Sequence, residues 1–183
     1  MSVQHAIVVF PDFNFAEQLE AVRSRFDPLA VLLDAHVTLV FPFEELVDDA
    51  VFREHLVAAA AGVAPFEITL AAPTSEDDGY LFLRVLGGCE RVVDLHRRLY
   101  SGLLAKHRSN TLAYHPHVTI GRLASPVQLA LAAEEARRWL LPPLSGRIDS
   151  VALFRLDGPA SGVIATVPLG VRTWRADWRE HGA

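Results

Sequence analysis

What this chain lacks bounds it first. It has one cysteine, Cys89, so no intramolecular disulfide forms and no metal site is built from cysteine alone. A cytoplasmic location is the default expectation for such a chain. No apolar run approaches the length that crosses a bilayer, so no membrane role is expected. The opening MSVQHAIVVFPDF has no basic flank and reads as a first strand rather than a secretory signal. Lysine is almost missing as well: all but one of the 17 basic residues are arginine, the exception being Lys106. Positive charge is not in excess. The net charge of −5 argues against a general nucleic-acid coat while leaving room for a local basic groove. Glycine-rich phosphate loops, Ser-x-x-Lys and Gly-x-Ser-x-Gly are all absent, which removes the familiar signatures of nucleotide hydrolysis and serine acyl transfer.

What is there is a chain of 183 residues, 51% apolar and 21% charged, long enough for a single α+β domain with a substantial core. Hydrophobic spacing predicts strands over 4–10, 35–42, 66–72, 80–86 and 117–122, with a closing hairpin over 147–156 and 162–169. Helices are expected over 14–26, 49–61 and 89–107, and from Ser125 to the prolines near 142. Asn14 is the expected cap of the first helix, with Glu17 completing a capping box.

Shifting the first half by 81 residues brings helix, strand, helix and strand onto their counterparts in the second. It also brings HVTL at 36–39 onto HVTI at 117–120. A strand needs alternating polarity, but it does not need His then Thr twice. In a strand, residues i and i+2 share a face, so His36 and Thr38 point one way, as do His117 and Thr119. Two pseudo-symmetric lobes, roughly 1–86 and 87–183, would bring these four side chains to one cleft. Two imidazoles can divide proton uptake and proton delivery near neutral pH. Two threonine hydroxyls can donate to phosphoryl oxygens without adding a competing base. That combination suits phosphodiester cleavage or transfer.

The two motifs, each on a strand of a duplicated α/β chain, resemble those of the 2H phosphoesterase superfamily, and most closely its bacterial 2′-5′ RNA ligase-like branch. The likeness runs from AIVVFP to the final hairpin. It implies a bilobal α+β fold with two antiparallel-rich sheets facing a central cleft and helices outside. It implies metal-independent chemistry without a cofactor on 2′,3′-cyclic phosphates or 2′-5′ linkages, with a nucleotide or RNA end as substrate and no obligate protein partner. It assigns His36 and His117 as the catalytic pair, His117 as base and His36 as acid, and Thr38 and Thr119 as phosphate holders. A nucleotide or RNA 3′-end binding module with little turnover is the alternative from another class, and a His-ligated metal hydrolase a third.

Other residues are secondary candidates for substrate contact. Phe43, in FPFEE after the first motif, can stack on a base. Tyr114 and His115 precede the second motif, and HPH also has the look of a metal pair. Arg122 closes HVTIGR, and strand parity places it opposite His117. Tyr80, Phe82 and Arg84 share a face, the aromatics reading as core and Arg84 as able to reach the cleft. From Cys89 to Arg122 there are six Lys or Arg against two acids, a formal +4 and a candidate phosphate-tracking edge.

Overall fold

The computed structural model describes residues 4–75, 78–109, 111 and 113–170. Among the described residues, ten strands and four α-helices follow one another: β1 (Gln4–Val9), β2 (Asp12–Phe13), α1 (Ala16–Phe26), β3 (Val37–Phe43), α2 (Asp49–Ala60), β4 (Phe66–Thr69), β5 (Thr74–Ser75), β6 (Tyr80–Arg84), α3 (Cys89–Leu99), β7 (His117–Arg122), α4 (Pro126–Trp139), β8 (Ser145–Ile148), β9 (Ser150–Leu156) and β10 (Gly162–Pro168). A seven-stranded sheet runs β10-β9-β1-β3-β7-β6-β5, and a three-stranded sheet runs β2-β8-β4. Every pairing is antiparallel.

The mixed α/β class and its two antiparallel sheets match expectation, but the sheets are unequal, and both motif strands lie side by side in the larger one. Their β-branched and apolar alternates, Val37, Leu39, Val118 and Ile120, are fully buried in the main core. That burial fixes which face the intervening histidines and threonines present. A smaller apolar cluster of Ala6, Val8, Ala152 and Phe154, with Phe10 and Leu33 against it, belongs to the opposite face of β1 and β9.

Several local details depart from the sequence reading. Asn14 does not cap α1, whose N-cap is Phe15. Its side chain instead accepts from the Ser145 N–H and donates to the Pro143 carbonyl, tying β2 to β8. The helix expected over 89–107 divides, because Ser101 is extended and Gly102 turns to φ +48° before a 3₁₀ segment at Gly102–His107. The basic stretch is not a continuous track either. Arg91 lies over Phe66, Arg98 pairs with Asp94, and Lys106 pairs with Glu45.

His5 is buried between Phe43 and Phe52, and its Nδ1 has no hydrogen-bond partner among the described residues. Burial, then repulsion from Arg155, holds its proton affinity below that of a free histidine. Burial also depresses His36 and His96. The folded state therefore takes up these protons less readily than the unfolded chain. Stability present above the unfolded value of about 6.5 is lost as pH falls below it. The thermal midpoint is expected to drop between pH 7.5 and pH 5. His5→Phe should flatten that drop, and an unchanged slope in the variant would exclude His5 as a contributor.

Candidate active site

β3 and β7 pair at Val37 and Val118, the two equivalent positions of the repeated motif. An antiparallel pairing at equivalent residues creates a local twofold. This register sets His36 across from Thr119, and Thr38 across from His117. The four side chains form a two-by-two patch, all half-buried on one face of the sheet. His36 and His117 occupy one diagonal, about 8 Å apart at Cα by strand geometry. Their proximity is felt electrostatically: a charge on His117 lowers the proton affinity of His36.

The two rings are anchored alike. Nδ1 of His36 lies 2.8 Å from the Asp34 carbonyl, and Nδ1 of His117 lies 2.7 Å from the His115 carbonyl. A carbonyl only accepts, so each Nδ1 carries the proton, and in the neutral ring the basic lone pair is on Nε2. Burial is the main influence on His36 and holds it below the ordinary histidine value. The Asp34 carbonyl and Asp27 oppose this, while Arg23 and His117 reinforce it.

The lead-in to His36 hangs on a buried ion network that sequence reading passed over. Arg23 is fully buried on α1. It donates to Asp27, to both Glu20 oxygens at 2.9 Å, and to the Leu33 carbonyl at 2.7 Å. Glu20 also accepts from the Ala35 N–H at 2.8 Å. The available signal was the spacing of Glu20, Arg23 and Asp27, which places all three on one helix face, with Arg23 next to the buried Leu19 and Val22.

Each motif strand carries a bulge just beyond its threonine. On β3, Thr38 faces Val8 but Val40 faces Ile7. On β7, Thr119 faces Phe82 but Gly121 faces Leu81. A bulge inserts one residue and reverses parity beyond it. Counting by twos therefore misplaces the residue five after each histidine. A further register shift between His5 and Ile7 then turns Phe43 into the core at 4% exposure, packed on His5, Phe52 and His107, so it is not a base-stacking residue. Phe41 takes the site face instead, 43% exposed, with its ring edge toward Tyr114. Arg122 likewise returns to the side of His117, its guanidinium 5.0 Å from the Tyr80 ring, correcting its assignment to the opposite face. Gly121 sits within this second bulge, where an added Cβ would meet Phe26 at 3.0 Å, so helix α1 packs directly on the strand there.

The antiparallel order puts Phe41 at the His117 end of the patch and Arg122 at the His36 end, where Arg122 also lines a groove with Asp27 and Pro28. Arg84 lies directly opposite His117 across β6. Tyr80 and Phe82 are half-buried on this same face, while Leu81 and Leu83 fill the core, so the aromatics are not core residues. Tyr114 braces the first motif: its hydroxyl donates to the Thr38 carbonyl at 2.8 Å and its ring stacks on His96 at 3.7 Å. His96 in turn donates from Nδ1 to the Leu39 carbonyl. His115 contributes its carbonyl to His117, and its side chain is exposed. Among the described residues, no three of His, Cys, Asp and Glu converge as a metal-binding group, and no helix is long and apolar enough to cross a membrane.

A sheet with two paired His-Val-Thr strands at its centre defines a two-histidine phosphoesterase fold, and the comparisons with known proteins agree. The family model of the 2′-5′ RNA ligase superfamily matches residues 11–160, and the chain belongs to that family. A protein of Geobacillus sp. (strain WCH70) named "Putative phosphoesterase" is 30% identical over 125 residues, covering 66% of this chain and 69% of its own length. Among solved structures, Escherichia coli LigT complexed with 3′-AMP superposes with a TM-score of 0.62 at 16% identity, covering 93% of this chain and all of that one. The LigT complex with phosphate gives 0.58 at 17% identity, covering 92% and 99%. These structural likenesses establish the shared fold.

Proposed function

We propose that this protein hydrolyses a 2′,3′-cyclic phosphate or a 2′-5′ phosphodiester at a nucleotide or RNA end, using His36 and His117 as its acid and base. The observation that carries this reading is the pairing at Val37 and Val118, which sets two imidazoles diagonally around a seat flanked by two hydroxyls. A phosphoryl group at the centre of the patch meets Thr38 and Thr119 as donors to its non-bridging oxygens. One Nε2 then faces the attacking water and the other the leaving ribose oxygen. The capture of phosphate and 3′-AMP by LigT, on the same fold, supports a nucleotide phosphate as ligand.

The direction of proton flow is assigned from His36. Burial disfavours the charged form of His36, so this ring takes the proton from water as the new P–O bond forms. His117, carrying a proton on both nitrogens, gives one to the ribose oxygen as the old P–O bond breaks. The product is a phosphomonoester, and the two histidines have exchanged protonation states, to be reset through solvent. This reverses the roles implied by resemblance alone, and rests on the burial of His36. Thr38 and Thr119 stabilise charge on the phosphoryl oxygens throughout.

The deciding experiment assays a panel of 2′,3′-cyclic nucleotides and 2′-5′-linked dinucleotides, with the product phosphate position read by phosphorus NMR. Turnover should survive exhaustive dialysis against chelator, because two imidazoles supply both proton transfers. Activity lost on dialysis and restored by zinc or manganese would overturn the metal-free mechanism. Tight binding of cyclic nucleotides without any product would favour a binding module.

A further inference from the structure

The site face continues past the histidine pair onto β6. The Phe82 ring lies 4.0 Å from the His117 ring, and Tyr80 stacks on Phe82 at 5.5 Å and 19°. Arg122, directly across from Tyr80, closes the row. Imidazole, phenyl, phenol and guanidinium thus form one contiguous rail leading away from the phosphate seat. The other flank of the patch differs. There Phe10 meets the edge of His36 and packs with Leu33 against the small apolar cluster.

We propose that Phe82 and Tyr80 form a second subsite, which takes the nucleobase of the nucleotide preceding the one that bears the reacting phosphate. The substrate class is then a nucleic-acid end of two or more nucleotides rather than a mononucleotide. This rests on the phosphoester reading above. Three observations support it. The two aromatics are half-exposed on a strand whose alternate residues already supply the core, so packing does not account for them. They begin in contact with a proposed catalytic ring, so a base bound on them is tethered to the phosphate between the histidines. They are flanked by the guanidinium of Arg122 and by Arg84, cross-strand from His117, which is the pairing of π-surface and positive charge that single-stranded nucleic acid uses. A rail of rings recognises any base by its face, so the subsite should be tolerant of sequence.

The test compares uridine 2′,3′-cyclic phosphate, the dinucleotide UpU ending in a 2′,3′-cyclic phosphate, and the same dinucleotide lacking its outer base. The intact dinucleotide should exceed the mononucleotide in kcat/KM by roughly tenfold, within what stacking one base on an aromatic ring supplies. The abasic dinucleotide should lose most of that advantage. Tyr80→Ala should bring the dinucleotide-to-mononucleotide ratio close to one, and Tyr80→Phe should preserve it. The ratio is the readout because a general loss of folded enzyme leaves it unchanged. Equal rates on both substrates in the unaltered protein, a full advantage in the abasic dinucleotide, or a ratio that survives Tyr80→Ala would each overturn the subsite while leaving the phosphoester reading intact. If no substrate is turned over, that reading fails instead. The subsite is then decided by equilibrium binding of uridine 3′-phosphate against UpU 3′-phosphate: equal affinities overturn it, and a dinucleotide preference lost in Tyr80→Ala upholds it.

Discussion

Replacing either His36 or His117 by alanine is expected to lower kcat by about 10²- to 10⁴-fold, the span over which positioned general acids and bases contribute. The double variant should be little worse than the worse single one, because a pair that passes one proton in and one out fails as a unit. In the unaltered protein kcat/KM should rise and then fall with pH. The rising limb belongs to His36, and lies below the ordinary histidine value because burial disfavours its charged form. The falling limb reports loss of the proton that His117 must deliver. His36→Ala should abolish the rising limb and His117→Ala the falling one. The opposite result would restore the assignment of His117 as base. Both variants should stay folded, since each ring is half-buried and anchored from Nδ1 to a local carbonyl. Thr38→Val and Thr119→Val should weaken substrate binding without changing the shape of the profile. Full turnover in both histidine variants, on every substrate the enzyme accepts, would remove the pair from the mechanism.

The centre of this site was legible because it depends only on the two-residue period of a strand, and a buried apolar alternation enforces that period strictly. Val37, Leu39, Val118 and Ile120 go inward, so His36, Thr38, His117 and Thr119 must go outward. Legibility ended at the bulges. A single extra residue after each threonine reverses the count, which is why Phe41 was passed over and Arg122 was expected on the far face, while a further shift between His5 and Ile7 returns Phe43 to the core. No residue type in VFPF or IGR announces the insertion unambiguously, although Pro42 and Gly121 are residues that regular central strands avoid. Strands β2 and β5, two residues each, were too short to leave a periodic trace. The role of Asn14 was missed for a different reason. Its side chain suits a helix cap locally, but the partner that claims it is Ser145, 131 residues away. Tyr80 and Phe82 showed the correct shared face, but aromatic residues on a strand carry no mark that separates a core face from a cleft.

Arg23→Ala is expected to destabilise the fold by about 3–5 kcal/mol, the cost of removing one partner from a buried ion pair. Asp27, with 4% of its side chain exposed, would keep its charge without the guanidinium that neutralises it. The Leu33 carbonyl would lose its donor at the same time. Glu20 is 40% exposed and can be rehydrated, so its share of the loss should be small. The midpoint of denaturant unfolding measures the total. A second variant separates stability from positioning. Arg23→Met combined with Asp27→Leu fills the same volume with apolar groups and leaves no buried charge, so much of the lost stability should return. The tether to Leu33 would still be missing, and with it one of the bonds that hold residues 33–35 ahead of His36. Arg23 and Asp27 act on His36 in opposite senses, so removing both together largely cancels their electrostatic effect on it. The double variant is therefore expected to be stable yet slow, with kcat reduced about tenfold or more and the rising pH limb nearly in place, since misplacing a catalytic group by about 1 Å is enough to cost that much. Recovery of kcat in step with stability would show that the network only holds the fold together and leaves the placement of His36 to the strand itself.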